Sequence, residues 1–189
     1  MKIIYLLITL LQITCMKNDI VYVEISTRLG KIKLELYLDK APLTTNNFLT
    51  YISDNRYSDF HFYRTVTHEN QPHNDIKIEV IQGGLGLAKH PKTLPAINHE
   101  TTEMTGIYHK IGTVSMARLQ PGTASSEIFI CISDQPELDY NGKRNKDGKG
   151  FAAFGRVISG MGVVKKIHSL PNTNQMINNV VKVNSFKIR

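Results

Sequence analysis

Residues 21–37, VYVEISTRLGKIKLELY, alternate apolar and polar side chains on both sides of Gly30. Successive side chains of a β-strand point to opposite faces of the sheet, so a period of two indicates a strand with one buried and one solvated face. Two such segments joined through a glycine turn predict a β-hairpin. The chain from Val21 onward is therefore expected to begin with antiparallel strands, as in a mainly β domain.

Short strand patterns separated by turns continue to the end of the chain. They occupy residues 60–66, 76–82, 112–116, 128–132, 151–157 and 180–188. Apolar residues three or four apart predict two helices, one capped by Thr44 or Thr45 and ending near Ile52, the other over residues 160–168. Many short strands with only two helices argue against a doubly wound parallel sheet and favour an antiparallel barrel or sandwich.

The composition is that of one globular domain, with 189 residues of which 41% are hydrophobic and 21% charged. A formal net charge of +7 raises the question of nucleic-acid binding. The basic residues between Lys143 and Lys149 are interleaved with glycine, Asn145 and Asp147, a pattern typical of a solvated loop and not of a helix that enters a DNA groove. We therefore predict no nucleic-acid partner and attribute the charge to a general attraction to anionic lipid or acidic partners.

The N-terminus has the pattern of a secretory leader. Lys2 precedes an apolar run over residues 3–14, which is shorter than the roughly 20 residues that a membrane-spanning helix needs. Residues 1–19 are interpreted as a signal peptide or lipoprotein leader, and residues 20–189 as the folded domain. Cys15 stands where a bacterial lipoprotein carries its lipid, although the residues before it do not match that motif. The protein is expected to be exported, either periplasmic or tethered to a membrane through its N-terminus.

Seven strings of residues resemble the cyclophilin family of peptidyl-prolyl cis-trans isomerases, in order and in approximate spacing. They are Ala41-Pro42 with Asn47-Phe48, Phe62-Tyr63-Arg64-Thr65-Val66, Gln82-Gly83-Gly84, residues 112–118 (GTVSMAR), residues 125–130 (SSEIFI), Leu138-Asp139 and residues 151–157 (FAAFGRV). The likeness extends from about Val21 to Ile188, and the chain is similar to exported bacterial members. It implies a mainly β fold, a closed eight-stranded antiparallel barrel capped by two α-helices, with a peptide groove on the outer face.

The resemblance also implies an activity: binding of proline-containing polypeptides and faster cis/trans rotation about the X-Pro bond, with no metal and no cofactor. Arg64 is the expected catalytic residue, because a rigid, permanently charged donor can hydrogen-bond the prolyl nitrogen once twisting of the amide has localised its lone pair. Gln82 would orient the substrate or Arg64 itself. The residues expected to contact the substrate are Phe62, Val80, Ala117, Arg118, Glu127, Phe129, Leu138 and Phe151.

Three glutamates depart from the family pattern, Glu127, Glu137 and Glu79, and each adds negative charge near the expected groove. If Glu127 lies close to Arg64, its carboxylate either holds the guanidinium in place or competes with substrate for it. On this reasoning Glu127→Gln leaves activity intact or raises it. Glu137 in place of an aromatic residue predicts weak binding of the cyclic peptide cyclosporin.

An insertion of about ten residues, at 67–75, separates Arg64 from Gln82 more widely than the family pattern does. Its polar, turn-forming residues predict an exposed loop beside the groove. One alternative is a lid that contacts the substrate, and another is a divalent-metal site. The candidate ligands for that site are His68, Glu69, His73 and Asp75. Their spacing fits no zinc motif, so no metal is predicted.

Two other functional classes compete with a monomeric isomerase. One is a binding module that holds proline-containing or unfolded chains, as a chaperone does, without useful catalysis. The other is an exported hydrolase that uses Ser125 or Ser126 with a histidine, although no nucleophile-elbow pattern surrounds either serine.

Overall fold

A computed structural model describes residues 19–86 and 90–189 of the chain. The strands are β1 (Ile20–Thr27), β2 (Gly30–Tyr37), β3 (His61–Val66), β4 (Val80–Gly84), β5 (Thr113–Met116), β6 (Ile128–Cys131), β7 (Ala152–Ser159), β8 (Asn172–Thr173) and β9 (Met176–Ile188). The α-helices are α1 (Pro42–Ser53), α2 (Thr102–Thr105) and α3 (Met161–His168). No helix within these two ranges is long and apolar enough to span a bilayer. Except for Asp19, the predicted leader lies outside the described residues.

Eight of the strands close into a barrel. Neighbouring strands follow the order β1-β2-β7-β5-β6-β4-β3-β9, the pairs are antiparallel, and β9 pairs again with β1. The short strand β8 forms a hairpin with β9 outside this circuit. Closure satisfies the edges that an open sheet would expose. The predicted eight-stranded antiparallel barrel is confirmed, as are helices α1 and α3, while the single turn α2 is an addition to the prediction.

Alternation along the strands separates two apolar clusters. In β6, Ile128 and Ile130 belong to the core that fills the barrel, whereas Phe129 and Cys131 belong to a second cluster on the outer face. Helices α1 and α3 pack their buried residues, Phe48 among them, against the barrel core. The outer cluster therefore does not fill the barrel, and most of its residues line a groove on the outer face.

Helix α1 is capped by a residue from a distant part of the chain. The Glu100 carboxylate accepts hydrogen bonds from the backbone N–H groups of Leu43 at 3.1 Å and Thr44 at 2.8 Å, and a carboxylate suits the positive end of the helix dipole. The hydroxyl of Thr44 donates to the same carboxylate at 2.6 Å. The prediction that Thr44 or Thr45 caps the helix is wrong, because the Thr44 side chain holds the capping group instead.

Replacing Glu100 with alanine is expected to lower the free energy of unfolding by about 1–2 kcal/mol, because three donors at the start of α1 lose their acceptor. Urea unfolding measures the change. Glu103→Ala is the matched control, since Glu103 is an exposed carboxylate nearby in α2, and its effect should stay within about 0.5 kcal/mol. Equal unfolding midpoints for Glu100→Ala and the wild type would contradict the capping role.

Strand β4 begins later than the sequence pattern predicts, at Val80 instead of residue 76. The buried Gln71 side chain explains the difference. Its Nε2 donates to the carbonyl of Ile78 at 2.8 Å, and its Oε1 accepts from the N–H of Ile78 at 3.3 Å. These side-chain bonds occupy both backbone groups of Ile78, so regular strand pairing begins only at Val80.

Candidate active site

A β-bulge in β3 decides which of its side chains face outward. Where β3 pairs with β4, the register shifts between Phe62 and Arg64, so that Tyr63 is an extra residue in the strand. Simple alternation would put Phe62 and Arg64 on one face. The bulge instead buries Phe62 completely in the barrel core and leaves Arg64 lining a groove on the outer face. The expectation that Phe62 contacts the substrate is therefore wrong.

The Arg64 guanidinium is held on two sides by amide oxygens. Its Nη1 donates to Oε1 of Gln82 at 2.8 Å, and its Nε and Nη2 donate to Oε1 of Gln175 at 3.0 and 2.6 Å. Burial lowers the pKa of Arg64, yet a guanidinium begins from so high a value that it stays charged. The side chain is thus a fixed positive donor, and the contact with Gln82 that the sequence suggested is present.

Sequence reasoning misses Gln175. With Asn174 it forms the two-residue loop between β8 and β9, where both residues have positive φ, 50° for Asn174 and 70° for Gln175, as in a type I′ turn. Its backbone carbonyl accepts from the N–H of Thr65 at 2.9 Å, and its Nε2 donates to the carbonyl of Asn70 at 2.9 Å. The polar run around it predicts a turn, but nothing local shows that its side chain reaches Arg64.

The groove on the outer face has a volume of about 560 Å³. Every predicted site residue except Phe62 lines it. These residues are Arg64, Val80, Gln82, Ala117, Arg118, Glu127, Phe129, Leu138 and Phe151. The outer apolar cluster supplies its floor, in which Val80, Phe129 and Leu138 are buried and Ala117 and Phe151 pack against them. An apolar floor next to a fixed cation suits a small ring that carries a polar bond.

A buried polar cluster holds the floor in place. The ring of His109 stacks on Phe129 with centroids 5.8 Å apart, its Nδ1 lies 2.7 Å from Oδ1 of Asp139, and its Nε2 lies 2.9 Å from Oγ of Ser115. These groups have the order of a hydrolase triad, but Ser115 and His109 are both buried, so no substrate reaches them. The cluster instead ties Asp139, and with it the adjacent Leu138, to strand β5.

Glu127 is bound by neutral donors and makes no ion pair with Arg64. Its carboxylate accepts hydrogen bonds from the hydroxyls of Tyr63 and Ser126 and from the backbone N–H groups of Leu85 and Gly86. Neither role considered from the sequence, holding the guanidinium directly or competing for it, applies to this arrangement.

The carboxylate of Glu127 sets the direction of a hydrogen-bond chain. Because a carboxylate only accepts, the Tyr63 hydroxyl donates to it at 2.6 Å, and the phenol oxygen accepts from Nε2 of Gln82 at 2.7 Å. Burial first, and the charge of Glu127 second, raise the pKa of Tyr63 well above its ordinary value, so the hydroxyl keeps its proton. Gln82 must then turn its oxygen toward Arg64.

Glu127→Gln is therefore expected to lower kcat/KM about three- to tenfold, the opposite of the expectation from sequence, because the new amide can donate to Tyr63 and favour a flipped Gln82. The peptide Kd should change less than kcat. An isomerisation assay measures Glu127→Gln and a control, Glu137→Gln. Glu137 suits as the control because its carboxylate accepts the N–H of Lys143 and takes no part in the hydrogen-bond chain from Glu127 to Gln82. Activity of Glu127→Gln at or above the wild-type value would contradict the orienting role.

Other charged groups around the groove also have partners. Arg118 donates two hydrogen bonds to Asp147, both at 2.8 Å, and this pairing lowers the pKa of Asp147 to about 2. Glu137 accepts the N–H of Lys143 at 2.8 Å, and Glu79 accepts a serine hydroxyl at 3.0 Å. Arg118 thus lines the groove as half of a neutralised pair.

The insertion forms a loop that is exposed over most of its length, as predicted, with Gln71 buried. Of its candidate metal ligands, His68 lies 3.8 Å from Glu79. In the part of the chain that the structure describes, no three His, Cys, Asp or Glu side chains stand close enough to share a metal ion. The loop reaches the site through the carbonyl of Asn70, which accepts the hydrogen bond from Gln175.

The two serines considered for a hydrolase have other partners. The hydroxyl of Ser125 donates to the carbonyl of Leu94 at 2.9 Å and lies 2.8 Å from the hydroxyl of Tyr51. The hydroxyl of Ser126 donates to Glu127. Within the described ranges neither hydroxyl meets a histidine, so the serine–histidine pair of the hydrolase alternative is not formed.

Nearly all of the folded chain is similar to proteins of one family. Residues 22–188 match the family model described as cyclophilin type peptidyl-prolyl cis-trans isomerase/CLD. A peptidyl-prolyl cis-trans isomerase of Acinetobacter baylyi is 35% identical over 176 residues, which cover 88% of this chain and 85% of that protein. Peptidyl-prolyl cis-trans isomerase B of Escherichia coli is 34% identical over 149 residues, 77% of this chain and 82% of that protein.

The fold has a counterpart among solved structures. A crystal structure of a cyclophilin type peptidyl-prolyl cis-trans isomerase from Cryptosporidium parvum has a TM-score of 0.71 to this chain and is 21% identical to it. The alignment covers 90% of this chain and 98% of the other. At this level of identity the structural likeness establishes the barrel fold alone.

Proposed function

The chain belongs to the cyclophilin family of peptidyl-prolyl cis-trans isomerases, and on that premise we propose that its outer groove binds X-Pro segments and that Arg64 promotes their rotation. The observation that carries this proposal is the guanidinium of Arg64, fixed by Gln82 and Gln175 in a groove with an apolar floor. The proline ring would lie against Phe129 and Leu138, which are the buried centre of that floor.

The physical problem is the barrier to rotation, about 18–20 kcal/mol, which arises from resonance in the peptide bond. At the twisted midpoint the prolyl nitrogen has a localised lone pair and accepts a hydrogen bond that the planar amide cannot accept. A donor aimed at that nitrogen stabilises the transition state selectively. Arg64 supplies the donor. Because Gln82 and Gln175 already hold the guanidinium in place, little side-chain entropy is lost when the substrate binds.

The apolar floor contributes a second effect. One charge-assisted hydrogen bond contributes about 1.5–3 kcal/mol, or one to two powers of ten in rate, so Arg64 alone leaves part of the catalysis unexplained. Burying the ring against Phe129 removes water from the polar ground state of the amide, which favours the less dipolar twisted form.

The clients in this proposal are exported proteins, and the working unit is one chain. The leader pattern of residues 1–19 supports export, and one chain by itself supplies every residue that the proposed mechanism uses, so catalysis needs no second copy. Mass spectrometry of the mature N-terminus tests the first point. A start near residue 20 agrees with cleavage, a lipid on Cys15 agrees with a membrane tether, and an intact Met1 in the cell's cytoplasmic fraction contradicts export.

An isomerisation assay separates the enzyme from a binding module. Residues 20–189 are mixed with a short peptide that contains one proline, and cis/trans exchange is followed by NMR. Acceleration of exchange at catalytic protein concentration is the expected result. Peptide binding with no acceleration would show that the groove holds proline segments without catalysing their rotation.

A further inference from the structure

Arg144 brings a second guanidinium to the groove that Arg64 lines. It lies in the loop that precedes β7, and its Nη1 donates to the carbonyl of Ile76. The partners of Arg64 are likewise neutral, the side-chain oxygens of Gln82 and Gln175. Both cations are partly buried, and among the described residues neither forms an ion pair with a carboxylate.

The carboxylates around the groove are engaged elsewhere. Glu127 accepts four hydrogen bonds, Asp147 is bidentate with Arg118, and Glu137 accepts a backbone N–H. Burial first, and then the charge of Arg64, lower the pKa of Arg144, which is how two like charges in a partly dehydrated site respond. An anion between them would offset both the burial and the repulsion.

Asn145 adds a neutral donor to the same part of the groove. It follows Arg144 in sequence and lines the groove with it. Its Nδ2 is buried and has no hydrogen-bond partner among the residues described. A buried N–H without an acceptor is unfavourable, so such groups usually have one. A carboxylate oxygen would satisfy this amide and would also offset the charge of a guanidinium.

We propose that Arg144, with Asn145, forms a carboxylate-binding subsite beside the proline slot and Arg64, and that preferred substrates carry a carboxylate next to the proline. A planar carboxylate with two oxygens matches the fork of a guanidinium better than any other group of a peptide. The source is an acidic side chain that flanks the proline or the terminus of a chain that ends in proline. This inference rests on the proposed function, because it takes the groove to be where X-Pro segments bind.

Three matched peptide pairs test the subsite and identify the source of the carboxylate. The first pair has Glu or Gln directly after the proline, the second has Glu or Gln directly before it, and the third ends in proline as the free acid or the amide. Each peptide is used with the wild-type domain at low salt, and both cis/trans exchange and Kd are measured by NMR. Binding is measured separately from exchange, so that the subsite is tested even without turnover.

The charged member of at least one pair is expected to bind about tenfold more tightly than its neutral partner and to have a correspondingly higher kcat/KM. In Arg144→Gln the ratio should fall to about one, and in Asn145→Ala it should fall partway. Lys146→Gln is the matched control, because it removes one positive charge from the same loop at an exposed residue that does not line the groove. The preference should survive in that control and decline as salt rises.

The outcomes separate this inference from the function on which it rests. If the wild type accelerates exchange of the neutral peptides but binds the members of every pair equally, the subsite is wrong and the isomerase proposal stands. If no peptide is turned over yet the charged one binds more tightly through Arg144, the subsite stands and the proposed catalysis fails. A preference retained in Arg144→Gln, or lost equally in Lys146→Gln, overturns the subsite.

Discussion

Substituting Arg64 with alanine is expected to lower kcat/KM for a neutral proline peptide by roughly ten- to a hundredfold, because it removes the charge-assisted hydrogen bond to the twisted prolyl nitrogen. The loss should fall mainly on kcat, since the apolar floor that binds the ring remains. Arg64→Lys keeps the charge but loses the planar fork that Gln82 and Gln175 hold, so its activity should also fall well below the wild type.

An NMR exchange assay provides the measurement, and Arg156→Ala provides the matched control. Arg156 is an exposed arginine of β7 that pairs with Glu35 at 2.6 Å, away from the groove lining. Its replacement should leave kcat/KM unchanged. If Arg64→Ala retained the wild-type rate while folding normally, the guanidinium would have no catalytic role.

Phe129→Ala should produce the second large effect, a loss of about 3–5 kcal/mol in the free energy of unfolding together with loss of measurable peptide binding. Only 5% of the residue is exposed. Its ring stacks on His109 and meets Phe151 edge-on, with ring centroids 5.2 Å apart. Its removal leaves a cavity in the outer cluster and takes away the surface on which the proline ring would lie.

A milder variant keeps this prediction testable if Phe129→Ala fails to fold. Phe129→Leu retains most of the volume and should fold, with peptide binding weakened several-fold because the flat ring face is gone. Urea unfolding reports stability, and an NMR titration reports Kd. Unchanged peptide affinity in Phe129→Leu would show that the proline ring binds elsewhere.

The strands were predictable because their signal is local, but this pattern left a barrel and a sandwich open, and only the resemblance to a known family implied the closed eight-stranded barrel. The period of two over residues 21–37 needs no information from the rest of the chain, and the same alternation in β6 already separates Ile128 and Ile130 from Phe129. The likeness of short strings to a known family then located most of the groove lining, including Arg64 and Leu138.

The parts that could not be predicted depend on contacts between distant residues. A bulge adds one residue to a strand without a composition signal, so Phe62 and Arg64 read as neighbours on one face until the pairing with β4 is known. The partners of Glu127 and Gln175 are set by how loops meet across the barrel. In both cases the residue type fixes the hydrogen-bonding capacity, and only the fold decides which group uses it.

The most direct test of the account is a crystal structure of residues 20–189 with a bound peptide that contains proline. We predict that the ring lies on Phe129 and Leu138 and that the Arg64 guanidinium, still held by Gln82 and Gln175, lies within hydrogen-bonding reach of the prolyl amide. A peptide bound away from the outer groove, or an Arg64 side chain turned away from the bound proline, would contradict it.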